Sequence, residues 1–272
     1  MKRMMLACCL LSASIFCGLH PALGQGLPKA QPKLLTIVRE EVKVGQAADH
    51  AKHEAGWPAA YEKAKSPDYY LALSSMTGSP EVWYIIPAES HAQVGESMKR
   101  EDKDPVLSAE LARLALRDAE YVSHVTTLNA VAHPDLSLGV FPELSKARFF
   151  EISLYKVRPG QDEKFHEITK AYGEARKRAA PNSSYRTYQV LAGMPGPTYL
   201  FFTSVESYAA LDQTMADDLA TFKGATPEEA ATFKKWGDIV ISEENHRFRV
   251  DPGQSYVPKE TRAQDPEFWQ PK

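Results

Sequence analysis

His50-Ala51-Lys52-His53-Glu54 places two imidazoles one helical turn apart with a carboxylate beside them, and Trp57 follows a turn later. On a helix, residues three and four apart share a face. Such a face could give a metal ion two nitrogens and an oxygen. A neutral imidazole there could also serve as a general base near neutral pH. A plainer role fits as well: both rings rest at a half-exposed helix start, hydrogen-bonded to backbone or water. His50 and His53 are thus the candidate catalytic residues, and no residue set is assigned to a metal. Trp57, Tyr84, His124 and Asn129 are the candidate ligand-binding residues. Trp57 would shape an aromatic pocket, and His124 and Asn129 sit near a strand that could line one. Tyr84, with Trp83 and Tyr199, could equally be core, and strand residues such as His124 could simply be solvated.

Other chemistries lack their signatures. The chain has no Gly-x-Gly-x-x-Gly, no Gly-x-x-x-x-Gly-Lys-Ser/Thr, no Gly-x-Ser-x-Gly and no His-Glu-x-x-His. All three cysteines (Cys8, Cys9, Cys17) lie in the first 24 residues. Those residues read as a signal peptide: Lys2 and Arg3, an apolar run from Leu6 to Cys17 too short to span a bilayer, and a small-x-small site at Ala22-Leu23-Gly24. The expected mature protein is exported, periplasmic or secreted, and has no disulfide or thiol nucleophile. The net charge of −3 becomes more acidic once Lys2 and Arg3 leave. No basic stripe interleaved with aromatics occurs, which excludes nucleic acid as an expected partner.

The elements that must position these side chains come in two matching sets. Leu34 to Lys43 reads as a strand that Gly45-Gln46 turns into a helix over 46–65, with Pro58 placed to kink or divide it. Tyr69 to Met76 and Val82 to Ile86 form a hairpin. A polar helix follows over 88–103, then a second that opens at Asp104-Pro105, and a strand near Thr126 to Ala132. From residue 149 the order repeats: strand 149–158, helix 161–179, strands 184–192 and 198–203, helices 205–222 and 227–242, and a strand over 244–250. In helix 205–222, Tyr208, Leu211, Met215 and Phe222 are expected to face inward. Val42 aligns with Val157, Gly45-Gln46 with Gly160-Gln161, Trp57 with Tyr172, Gly78 with Gly193 and Trp83 with Tyr199. The copies differ where chemistry could sit, because His50 aligns with Phe165 and His53 with Ile168.

The organisation expected is a signal peptide over 1–24, a loose lead-in over 25–33 and a first unit over 34–134. A linker over 135–147, a second unit over 148–252 and a surface tail over 253–272 complete it. Each unit has the β-α-β-β-α-β order of a ferredoxin-like fold, so the class is α+β. One such sheet alone would leave an apolar face in water; two units packed sheet to sheet bury it.

A strand ending in Val-x-x-Gly, a helix, a hairpin with a central glycine and a second copy of the whole resemble the dimeric α/β-barrel superfamily, tandem-fused. The NIPSNAP-like and antibiotic-monooxygenase-like members are nearest in element order, over about 34–134 and 148–252. That resemblance implies a fused barrel and leaves chemistry open, since members include cofactor-free monooxygenases, haem-handling proteins and small-molecule isomerases. Three functions follow as expectations. The first is an exported binding or structural module for a small apolar or aromatic ligand. The second is a cofactor-independent monooxygenase-like or isomerase-like enzyme using His50 or His53. The third is haem or metal handling through a helix histidine. Further oligomerisation of the fused barrel is compatible with all three.

Overall fold

The computed structural model describes residues 27–270. The signal-peptide reading of 1–24 and its cysteines lie outside the described residues. The first unit comprises β1 (Leu34–Val42), α1 (Ala47–Glu54), α2 (Gly56–Ala64), β2 (Tyr70–Ser75), β3 (Glu81–Ala88), α3 (His91–Lys103), α4 (Pro105–Tyr121) and β4 (Val122–Ala132). The second comprises β5 (Phe149–Val157), α5 (Asp162–Ala179), β6 (Arg186–Ala192), β7 (Thr198–Val205), α6 (Ala210–Lys223), α7 (Pro227–Phe233), α8 (Trp236–Ile239) and β8 (Val240–Tyr256). Short helices α9 (Lys259–Gln264) and α10 (Pro266–Trp269) close the described chain.

The eight strands form one closed antiparallel barrel in the order β1-β3-β2-β8-β5-β7-β6-β4. Each unit contributes four neighbouring strands. The seams between units are hydrogen-bonded pairs, β2 with β8 and β4 with β6. The expected fused barrel is therefore closed by edge strands as well as by facing side chains. Side chains alternate across each strand. One face supplies a core drawn from all eight strands, including Ile37, Leu73, Trp83, Leu128, Ile152, Tyr188, Leu200 and Phe248. The opposite face meets the helices: Val42, Tyr70, Val82 and Tyr84 in the first unit, and in the second Val157 and Tyr199, which pack against Phe165 and Ile168 of α5.

Local chemistry explains most boundaries. Pro58 has no N–H to donate to the Glu54 carbonyl, so the helix expected over 46–65 divides into α1 and α2 after Glu54. Asp104 accepts hydrogen bonds from the Val106 and Leu107 amides and starts α4 ahead of Pro105. Thr226 and Glu229 form the reciprocal cap of α7. Gly193 holds a positive φ of 96° where the β6–β7 loop crosses β4, and a Cβ there would meet the Thr127 carbonyl oxygen at 2.0 Å.

Several expectations need correction. The helix placed over 227–242 stops early because Val240 pairs with Val157 and begins β8. The strand placed near Thr126 to Ala132 begins earlier, at Val122, which pairs with Val42. The strand expected over 244–250 is longer at its far end too, since β8 runs to Tyr256. On α6 only Leu211 of the expected inward stripe is buried, while Tyr208, Met215 and Phe222 are exposed. Trp83 does not match Tyr199. Val82 pairs with Glu40 and Tyr199 with Tyr155, so the true counterpart of Trp83 is Leu200. A one-residue slip moves a strand side chain to the other face. Trp83 accordingly faces the barrel interior and Tyr199 a helix.

The lead-in, linker and tail are also more than connections. Leu27 packs on the barrel core, and Gln31 Nε2 donates to the Thr187 carbonyl at 3.0 Å. In the linker, Leu138 bridges to Tyr185 and Leu136 is buried. The tail was expected to lie on the surface, yet Trp269 is 2 % exposed and joins the core. Its indole Nε1 donates to the Ser145 carbonyl at 3.1 Å. Arg148 pairs with Asp265 and lies 3.8 Å over the Phe268 ring. Trp269→Ala is expected to lower the unfolding free energy by about 3–5 kcal/mol in a urea titration. A tail resting on the surface would shift it by about 0.5 kcal/mol or less.

Candidate functional site

Glu40 lies on the helix-facing side of β1, between Val38 and Val42. Helix α1 sits over it and directs His50, His53 and Glu54 toward the sheet, and α4 adds Asp118 from the side. His50 is 1 % and Glu54 2 % exposed. The half-exposed helix start envisaged from the sequence is thus a buried one. His50 Nε2 lies 2.9 Å from Glu40 Oε2 and 4.0 Å from Glu54 Oε1. His53 Nε2 lies 2.8 Å from Asp118 Oδ1 and 3.1 Å from the Leu114 carbonyl oxygen.

Tyr84 from β3 completes the group. Its hydroxyl lies 2.8 Å from Glu54 Oε2 and 3.0 Å from Gln254 Oε1. One phenolic proton can serve only one of two acceptors. A neutral Glu54 resolves this, donating to Tyr84, which then donates to Gln254. Burial, reinforced by the charges of Glu40 and Asp118, pushes the Glu54 carboxyl up to about 9, in keeping with that arrangement. Glu54 Oε1 is buried without a hydrogen-bond partner. Gln254 reaches the group because the β2–β8 register shifts between Tyr70 and Ala72, where Tyr70 pairs with Tyr256 and Ala72 with Asp251. The second unit therefore delivers one side chain to a site built by the first.

The second unit shows what the fold itself requires at these positions. Val42 and Val157 occupy equivalent register shifts, opposite Val122 and Val240. The amides of Lys43 and Arg158 bond the carbonyls of Tyr121 and Ile239. With these anchors Glu40 corresponds to Tyr155, His50 to Phe165, His53 to Ile168, Glu54 to Thr169 and Asp118 to Trp236. Tyr155 and Trp236 pack 5.0 Å apart, and Phe165 and Trp236 5.6 Å apart. An apolar cluster fills the same place without difficulty, so five ionisable side chains in the first unit are not needed to close its core. The sequence showed the His50 and His53 differences. It also put Glu54 beside them, but not Glu40 and Asp118, which strand β1 and helix α4 bring to the two rings.

The other candidates lie apart from this group. Trp57 packs against Leu107, Leu111 and Leu114 beside α4, with a buried Nε1 that has no partner. His124 and Asn129 are exposed on β4, and Asn129 Nδ2 donates to Thr36 Oγ1 at 3.1 Å. Neither joins His50 and His53.

A second region, missed from the sequence, lies at one end of the barrel. A cavity of about 70 Å³ has an almost wholly apolar wall that includes Leu35, Leu71, Leu73, Phe150, Tyr188 and Phe202, with Leu27, Phe141 and Leu144 over its mouth. Arg186 is the one charged residue on that wall. Its Nη1 donates to the carbonyls of Leu138 and Tyr185 at 2.6 and 2.7 Å, and its Nη2 to that of Gly139 at 2.9 Å. Its Nε is buried without a partner, and no carboxylate pairs with it among the described residues. The lead-in and linker build much of this mouth, and neither has a periodic pattern that would place it there.

The raised Glu54 carboxyl fixes a pH response. Below about 4.5 it is protonated in both folded and unfolded chains and contributes nothing. Between about 4.5 and 9 the unfolded chain gives up the proton while the fold retains it, so stability falls as pH rises. Measured with EDTA present, the unfolding free energy should decline across this range by up to about 1.4 kcal/mol per pH unit from this group. Glu40, Asp118, His50, His53 and Tyr84 face it. Glu54→Gln should flatten the decline and be more stable than the parent at pH 8; an unchanged slope would show that Glu54 holds no such proton.

No family profile and no curated protein matches the chain. Solved structures do share its fold. A candidate monooxygenase from Fusobacterium nucleatum superposes with a TM-score of 0.53 at 9% identity, covering 80% of this chain and 92% of that one. A candidate monooxygenase from Lactobacillus acidophilus gives 0.52 at 8% identity, covering 84% and 100%. A chlorite dismutase variant from Candidatus Nitrospira defluvii gives 0.51 at 9% identity, covering 82% and 93%. These similarities, with the closed eight-stranded barrel, give the chain the fold of the ferredoxin-like dimeric α/β barrels, both halves carried on one polypeptide.

Proposed function

We propose that the protein is an exported small-molecule-binding barrel that holds a compact, largely apolar ligand in the cavity at its mouth. The observation that carries this reading is the cavity itself: an apolar wall drawn from strands of both units, roofed by lead-in and linker, with one buried arginine on it. Apolar surface binds without regard to direction, and a single buried polar group gives orientation. Arg186 lacks a carboxylate partner, so an anionic head suits the site better than a cationic one. Tyr188, Phe150 and Phe202 would contact either an aliphatic or an aromatic body. Action outside the cytoplasm follows from the signal-peptide reading, and the NIPSNAP-like likeness belongs to the same proposal through element order alone.

A second reading, a small-molecule enzyme, is supported by the buried ionisable group under α1 and by the names of the Fusobacterium and Lactobacillus neighbours. Buried groups with shifted proton affinity concentrate at functional sites. Haem ligation through His50 or His53 has less support, because the carboxylate facing each Nε2 suits a small cation better than a macrocycle.

Octanoate and octylamine test the first reading by isothermal titration calorimetry. Octanoate should bind saturably, at least about tenfold (1.4 kcal/mol) tighter than octylamine. Ser204→Trp, which fills the cavity from β7, should weaken octanoate at least about tenfold while leaving the circular dichroism spectrum unchanged. Equal binding of both probes, or octanoate affinity indifferent to Ser204→Trp in folded protein, would refute it.

A further inference from the structure

The ligand cavity does not touch the ionisable group beneath α1, and that group has a chemistry of its own. Its donor atoms form two overlapping triads. Glu40, His50 and Glu54 each offer one ligand atom, and so do His53, Glu54 and Asp118, with the atoms of each triad within 4.8 Å of one another. Glu54 belongs to both. Helical geometry produces the overlap: His50 and Glu54 are four residues apart on one face, and His53 is the neighbour of Glu54 on the next.

Hydrogen bonding among these residues leaves two facts unexplained. Glu54 Oε1 is buried with no donor, a costly state for a carboxyl oxygen. Two buried carboxyls, Glu40 and Glu54, and the half-buried Asp118 stand against two imidazoles where the second unit packs Tyr155, Phe165, Ile168, Thr169 and Trp236. Burying ionisable groups costs several kcal/mol for each that carries charge, and Glu54 escapes that cost only by keeping its proton. Cations bound between the carboxylates would account for both.

We infer that the first unit binds two divalent first-row transition-metal ions bridged by Glu54, one held by Glu40 and His50 and the other by His53 and Asp118. Two imidazoles and three carboxylates suit manganese, iron, cobalt or zinc. They suit calcium or magnesium less, which prefer oxygen alone, and copper(I), which prefers sulfur. Two divalent charges offset the three carboxylates. The Tyr84 hydroxyl is placed to donate to Glu54 Oε2, an outer hydrogen bond of the kind that orients a metal-bound carboxylate. Three protein ligands per ion leave positions for water or another molecule. Because Gln254 also reaches Tyr84, the second unit supports the site without supplying a ligand. This inference does not rest on the barrel-mouth reading, and either could fail without the other.

The test uses the whole mature chain, stripped with EDTA and dialysed. Added manganese(II) is counted by plasma mass spectrometry after desalting, with electron paramagnetic resonance reporting coupling between ions. The expected result is two equivalents per chain, a coupled manganese signal and a raised melting temperature. Glu54→Ala should lose both equivalents, whereas His50→Gln and His53→Gln should each retain one. Zero or one equivalent in the parent protein would overturn the proposal. So would two equivalents that persist in folded Glu54→Ala. If Glu54→Ala does not fold, the two histidine variants decide: one equivalent each supports the bridged pair, and two in either overturns it.

Discussion

Hydrogen bonding between the edge strands of two unlike halves is the constraint on which this structure depends. A four-stranded ferredoxin-like sheet has two edges whose backbone N–H and C=O groups need partners, and one apolar face that its own helices cannot cover. Here β2 finds β8 and β4 finds β6. Closure satisfies four edges together and encloses the interior faces of both sheets in one core. Barrel closure removes edges altogether, whereas simple face-to-face stacking would leave them open. Carrying both halves on one chain raises their effective concentration for each other. It also frees the halves to diverge, because a substitution in one is no longer repeated in the other.

The divergence is concentrated under the helices. In the second unit the space between α5 and the sheet is filled by Tyr155, Phe165, Ile168 and Thr169, with Trp236 from α8. In the first unit the matching positions carry Glu40, His50, His53, Glu54 and Asp118. Core apolar groups are simple to satisfy, and buried charges are not. A chain that retains the costlier solution on one side only has been shaped by something other than packing. The barrel mouth differs in kind. It is apolar, assembled from both units, and depends on segments outside the repeat.

Element order, the duplication and the barrel were legible because hydrophobic periodicity, Pro and Gly punctuation and helix caps are local signals. Asp104-Pro105 and Thr226-Pro227 mark helix starts wherever they occur. Pairing registers are not local. The one-residue error that matched Trp83 with Tyr199 could not be resolved without knowing that Val82 lies opposite Glu40. For the same reason the sequence offered His50, His53 and Glu54 but not Glu40 and Asp118, which meet them from β1 and α4. Trp269 was missed because a charged, proline-rich setting gives no hint that one indole is enclosed by the barrel. Asn129 falls on the strand expected over 126–132 and His124 just ahead of it, and the face each occupies is known only from the barrel.

If closure is the organising constraint, neither half can stand without the other. The direct measurement is to produce residues 25–140 and 141–272 as separate chains and follow each alone and mixed, by circular dichroism melting and analytical ultracentrifugation. The account predicts that each alone shows no cooperative melt or aggregates. Mixed from denaturant, the two should form a one-to-one complex with a single cooperative transition. A first half that folds by itself as a stable monomer, with a sharp melt of its own, would contradict it.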